Sequence, residues 1–94
     1  MQKINAYLGF AIKSGNLIKG VDKIIENKKP VYVVLYSSLA DNSLSKLMKF
    51  VAYNKIDIFK VTDEVLPLGS KAIALTDQNL ARVIKEKLKN VEDC

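Results

Sequence analysis

The sequence predicts an α/β fold, a three-layer α/β/α sandwich, on three observations. Helical and strand-like patterns alternate along the chain. Residues 31–38, VYVVLYSS, form a nearly continuous apolar and β-branched run, as in a central strand buried on both faces. The strand-like runs are separated by stretches long enough for helical crossovers, which favours a largely parallel sheet with helices on both sides.

Each element has a local reason. From Lys3 to Lys13 the residues Ile4, Leu8, Ala11 and Ile12 share one helical face. Gly15, within SGN, is a natural C-terminal cap for that helix. Leu17 to Lys19 reads as a very short extended piece. After Gly20 a second helix runs to about Asn27, with Val21, Ile24 and Ile25 inward. Pro30 ends it, because proline disfavours helical geometry at Lys29.

After the strand at 31–38, DNS opens a third helix, with Asp41, Asn42 or Ser43 as its cap. Leu44, Leu47, Met48, Val51 and Ala52 form its apolar stripe. Residues 56–61 (IDIFKV) read as a strand. TDEVLPLG reads as a short capped helix ended by Pro67 and Gly69. Ala72 to Leu75 is the next strand, and Thr76-Asp77 opens a last helix with Leu80, Val83, Ile84 and Leu88 inward. The closing NVEDC reads as a frayed tail. With no repeat and no linker, residues 1–94 form a single domain.

Composition narrows the function. A hydrophobic fraction of 49% is enough for a folded core. No apolar run approaches the roughly 20 residues of a membrane span, and the first residues carry no secretory-signal pattern. The single cysteine, Cys94, cannot form an intrachain disulfide, so a cytoplasmic setting is expected. Fifteen lysines and arginines oppose ten acids, and this +5 balance favours a polyanionic partner. Arg82 is the single arginine, which weakens base-edge reading of the bidentate kind.

Enzymatic chemistry finds no footing in these residues. Without histidine the chain lacks the usual neutral-pH base and the commonest zinc ligand. The serines have no evident activating base. Asp41, Asp63 and Asp77 stand where helices should begin, as capping residues do. SGNLIKG has neither the GxGxxG spacing nor the GxxxxGK[ST] order of a nucleotide loop. A binding protein with no cofactor and no metal is therefore expected.

The residues that draw attention lie in KSGNLIKGVDKII, residues 13–25. Gly20 would let the backbone come close to a ligand. The amides at the start of the second helix carry partial positive charge, and Lys19 and Lys23 flank them. A phosphate would be stabilised there. Asp22 opposes this, since it can fill the first turn itself. Two readings stand on these residues: a phosphate-binding edge, or a self-capped helix with solvated lysines.

The run of LGFAIKSGNLIKG into VDKII, then VYVVLYSS, NKIDIFKV and LGS…AIALTD resembles the ribosomal L-seven-Ae / L-thirty-e family of kink-turn RNA binders. It is closest to the small bacterial YlxQ-like branch, and the resemblance covers nearly the whole chain. It implies a four-stranded mixed sheet, with Leu17 to Lys19 as a short edge strand. It also implies RNA binding through the start of the second helix and neighbouring loops. Members that bind kink-turns read Lys-Gly-x-Asn-Glu-x-x-Lys there. Here Lys19 and Gly20 match, whereas Asp22, Lys23 and Glu26 replace the asparagine, glutamate and lysine. Aspartate lacks the amide donor, and lysine cannot accept a hydrogen bond from guanine. Phosphate contacts carry over better than base reading.

The expected site is thus Lys13, Ser14, Gly15, Asn16, Lys19, Gly20, Asp22 and Lys23, joined by Leu68, Gly69, Ser70 and Lys71. The expected function is non-enzymatic binding of structured RNA, in association with the ribosome or translation machinery. The alternative is a protein-interaction accessory domain that keeps the fold and has lost kink-turn recognition.

Overall fold

A computed structural model describes residues 2–63, 65–66 and 70–92. The elements in order are α1 (Gln2–Lys13), β1 (Leu17–Lys19), α2 (Val21–Glu26), β2 (Val33–Tyr36), α3 (Asp41–Asn54), β3 (Asp57–Lys60), β4 (Ala72–Leu75) and α4 (Gln78–Glu92). The strands form one four-stranded mixed sheet in the order β1-β4-β2-β3.

Among the described strands only β2 and β3 pair in parallel, Val33 opposite Asp57 and Tyr36 opposite Lys60. β4 runs antiparallel to β2 and to β1. The largely parallel sheet expected from helical crossovers is therefore corrected, while the four-stranded mixed sheet is what forms. The cause lies in the chain between β3 and β4. Thr62, Asp63, Val65 and Leu66 make turns, with Val65 N–H on the Thr62 carbonyl at 3.1 Å and Leu66 N–H on that of Asp63 at 3.3 Å. The rest of the short helix expected there, Glu64 and Pro67 to Gly69, lies outside the described residues. A parallel return needs a crossover of a dozen or more residues, usually helical. Both ends of this link meet the end of β2, Val61 N–H on the Tyr36 carbonyl and Ser37 N–H on that of Lys71, so β4 starts at the end of the sheet where β3 stops.

The continuous apolar run of β2 has a two-faced explanation. Val33 and Leu35 join Ile73 and Leu75 of β4 in a core with Leu8 and Ala11 of α1 and Ala81, Ile84 and Leu88 of α4. Val34 joins Ala72 and Ala74 in a second core with Ile24 of α2 and Leu47 and Val51 of α3. Successive residues of a strand face opposite ways, so a central strand needs apolar residues at every position. The helices thus lie as α1 with α4 on one side and α2 with α3 on the other. Val65 and Leu66 tuck into the α1/α4 core, which anchors the turn segment.

Some expected inward positions face out. Ile12 (43%), Met48 (36%) and Ala52 are exposed, and Val21 and Ile25 are only half-buried. Among the described residues no helix is long and apolar enough to cross a membrane.

Helix ends follow recognisable chemistry. Gly15, at φ 76°, closes α1, with Gly15 N–H on the Ile12 carbonyl at 3.2 Å and Asn16 N–H on that of Ala11 at 2.9 Å. That pair of bonds is a Schellman ending. α3 ends the same way with Lys55 at φ 57°, its N–H on the Ala52 carbonyl and Ile56 N–H on that of Val51. Asp77 caps α4, its Oδ1 accepting from Asn79 N–H at 2.8 Å and Leu80 N–H at 3.2 Å. The cap expected for α3 at Asp41, Asn42 or Ser43 is corrected: Ala40 holds that position and makes no side-chain cap. Asn90 to Glu92 continue α4 rather than fraying, and Asp93 and Cys94 are outside the described residues.

Candidate nucleic-acid interface

The register of β1 divides the expected site in two. Leu17 pairs with Leu75 and Lys19 with Ile73, so β1 runs from the start of α4 toward the start of β4. Thr76 N–H donates to the Asn16 carbonyl at 2.9 Å, and Gly20 N–H donates to the Ala72 carbonyl at 2.9 Å. Residues 13–16 and 19–23 therefore lie at opposite ends of a strand, roughly 13 Å apart from Asn16 to Gly20 at 3.3 Å per residue.

The lower group, Ser14 to Asn16, is committed to the fold. Ser14 Oγ donates to the Phe10 carbonyl at 3.0 Å, and Asn16 Nδ2 reaches Ser14 Oγ at 3.1 Å and Asp77 Oδ2 at 3.4 Å. These bonds tie the end of α1 to the start of α4. Lys13 is exposed beside them, in the last turn of α1, where a cation offsets the helix dipole.

The upper group is built differently. Gly20 has φ 96° and ψ 139°, a backbone region open essentially to glycine alone. A side chain there would meet nothing within 4 Å, so conformation, not crowding, demands the glycine. This turn closes β1, and Gly20 accepts from Ile24 N–H at 3.0 Å to begin α2. The cap position supplies no side-chain acceptor for the first turn. Asp22 and Lys23 are both exposed in that turn.

Beside the turn, Lys19, Gly20 and Val21 line an open cleft of about 450 Å³ with Leu39, Ser70, Lys71 and Ala72. Two strand neighbours create it. The Gly20–Ala72 hydrogen bond draws the β1–α2 turn against the start of β4, and Ser37 N–H donates to the Lys71 carbonyl at 3.0 Å from the end of β2. Lys19 and Lys71 stand at the cleft from distant segments, and among the described residues no acid lines it. Val21 and Leu39, both half-buried, supply apolar surface. Ser37, 5% exposed, holds an Oγ that finds no hydrogen-bond partner among the described residues.

Of the expected site, the structure brings together Lys19, Gly20, Ser70 and Lys71, with Asp22 and Lys23 adjoining on α2. Leu68 and Gly69 lie outside the described residues. Lys13, Ser14, Gly15 and Asn16 belong to the other end of the sheet. Leu39, Val21 and Ala72 were not among the expected residues. Nothing in the spacing near YSSLA marks Leu39; only the strand order places it here. Among the described residues no group of three or more Cys, Asp or Glu side chains is placed to hold a metal.

No family model matches the chain, and no curated protein matches it. Among solved structures the chain is similar to one described as a protein with unknown function from Bacillus halodurans C. The two share 21% identity over 89% of this chain and 94% of that one, with a TM-score of 0.75. At that identity the likeness shows the fold alone.

Proposed function

We propose that the chain is a non-enzymatic domain that binds structured RNA at the cleft beside the β1–α2 turn. The observation that supports it is that Lys19 and Lys71 line one partly apolar cleft, with no acid among its described residues, on a chain of net charge +5. Lysines in such a place contact phosphates, and the apolar floor of Val21 and Leu39 accepts the face of an unstacked base. Bulged and internal-loop RNA offers such bases; a regular duplex does not. The sequence resemblance to kink-turn binders points the same way, and by that analogy the protein works in the cytoplasm with the ribosome or translation machinery. Asp22 and Lys23 stand where base-reading residues would be, so phosphate contact rather than standard kink-turn reading is the expected mode.

The test is filter binding at low salt with two RNAs, a hairpin interrupted by an internal loop and the same hairpin fully paired. Preferential retention of the interrupted RNA is expected. No retention of either contradicts the reading.

A second reading rests on the exposure of Asp22 and Glu26, which place acids on the same helix. It makes the domain a protein-interaction accessory. A stoichiometric protein partner retained after nuclease treatment, together with no RNA binding, would favour it.

A further inference from the structure

The exposed side of α3 carries a pattern that the cleft does not use. Asn42, Lys46, Lys49 and Tyr53 are all exposed and follow one another by four, three and four residues, which aligns them along one face of the helix. Tyr53 is 88% exposed, far more than a tyrosine needs to keep only its hydroxyl in water. Lys55 is exposed just beyond it. From Asn42 to Ile56 the sequence contains no acid, and among the described residues neither Lys46 nor Lys49 forms an ion pair. Asp57, the next acid along the chain, is engaged by Lys85 Nζ at 2.9 Å.

We propose that this face of α3 is a second RNA-contacting surface that holds a single strand, with Lys46 and Lys49 on phosphates and Tyr53 stacked on an unpaired base. The inference deepens the RNA reading of the cleft and rests on it. α3 begins two residues after Leu39, which lines the cleft, and runs the length of the sheet away from it. Lys46 and Tyr53 are separated by roughly 10 Å along the axis, at 1.5 Å per residue. A flexible strand leaving the cleft can therefore follow the helix. Stacking on an aromatic ring tolerates any base, and lysine contacts to phosphate carry no sequence information. The surface adds affinity for a strand without choosing its sequence.

The experiment compares a structured hairpin RNA with the same hairpin bearing a single-stranded uridine tail, using the full chain and two variants, Tyr53→Ala and the double Lys46→Ala/Lys49→Ala. Both variants change exposed residues, and circular dichroism checks that they fold. The tail is expected to tighten binding to the unaltered protein. Tyr53→Ala should weaken binding of the tailed RNA about five- to tenfold, the low end of base stacking. The double variant should flatten the log–log salt slope by about 1.4, at 0.7 per single-strand phosphate contact. Neither variant should alter binding of the untailed hairpin. A tail that adds nothing, or variants that leave tailed binding unchanged, overturns the α3 surface while untailed binding upholds the cleft. Loss of all RNA binding by the unaltered protein overturns both. Binding of the α3 face to anionic phospholipid vesicles, with no effect of the variants on RNA, also overturns it and names a membrane surface instead.

Discussion

The Gly20 amide donates to the Ala72 carbonyl at 2.9 Å, which extends the β1–β4 pairing and holds the β1–α2 turn against the segment that carries Ser70 and Lys71. Through it, Lys19 and Lys71, far apart in sequence, come to stand at one cleft. Gly20 holds φ 96°, and this turns the chain from β1 into α2. Gly20→Ala should therefore destabilise the protein by about 1–3 kcal/mol through backbone strain alone. Urea denaturation measures this, and a variant as stable as the original would show that the turn relaxes freely.

Asp77 accepts two backbone N–H groups at the start of α4 and also meets Asn16. Asp77→Ala should cost about 1 kcal/mol by leaving those donors without their cap. Asp77→Asn, which retains an acceptor oxygen, should recover most of it. Parallel denaturation curves of the two variants check the difference.

Lys55 occupies the left-handed region at φ 57° in the ending of α3, where glycine is the ordinary choice. Lys55→Gly should be neutral or stabilising by up to about 1 kcal/mol, since relief of strain outweighs the added freedom of the unfolded chain. Gly15→Ala, at φ 76° in the equivalent position of α1, should shift stability the opposite way by a similar amount. Thermal unfolding of both variants tests the pair.

Ser37 buries a hydroxyl that has no hydrogen-bond partner among the described residues. Ser37→Ala removes an unsatisfied group at nearly constant volume and should stabilise by about 1 kcal/mol. The same comparison by chemical denaturation would contradict this account if the alanine variant were clearly weaker.

Much of the fold was legible because its signals are local. The both-faces burial of β2, the glycine ending of α1 and the Asp77 cap each follow from short stretches read alone. The direction of β4 was not legible from those patterns, because the residues between Lys60 and Ala72 resemble a capped helix but form turns where they are described. A strand's direction depends on how its connection travels, and apolar alternation does not encode that. The site was half legible for the same reason. Lysines around two glycines drew attention to residues 13–23, but strand register decides which of them share a surface. It separates Lys13 to Asn16 from Lys19 to Lys23 and brings in Leu39, which no local pattern marked.

On the proposed reading, Lys19 and Lys71 contact RNA phosphates at one cleft. Its most direct test is the salt dependence of binding to an internal-loop hairpin for the original chain, Lys19→Ala, Lys71→Ala, their double variant and Lys13→Ala. Each cleft substitution should flatten the log–log slope by about 0.7–0.9, and the double variant by about twice that. Lys13→Ala, at the far end of β1, should leave the slope unchanged. A double variant with the original slope, or a Lys13 effect as large as those of Lys19 and Lys71, would contradict the account.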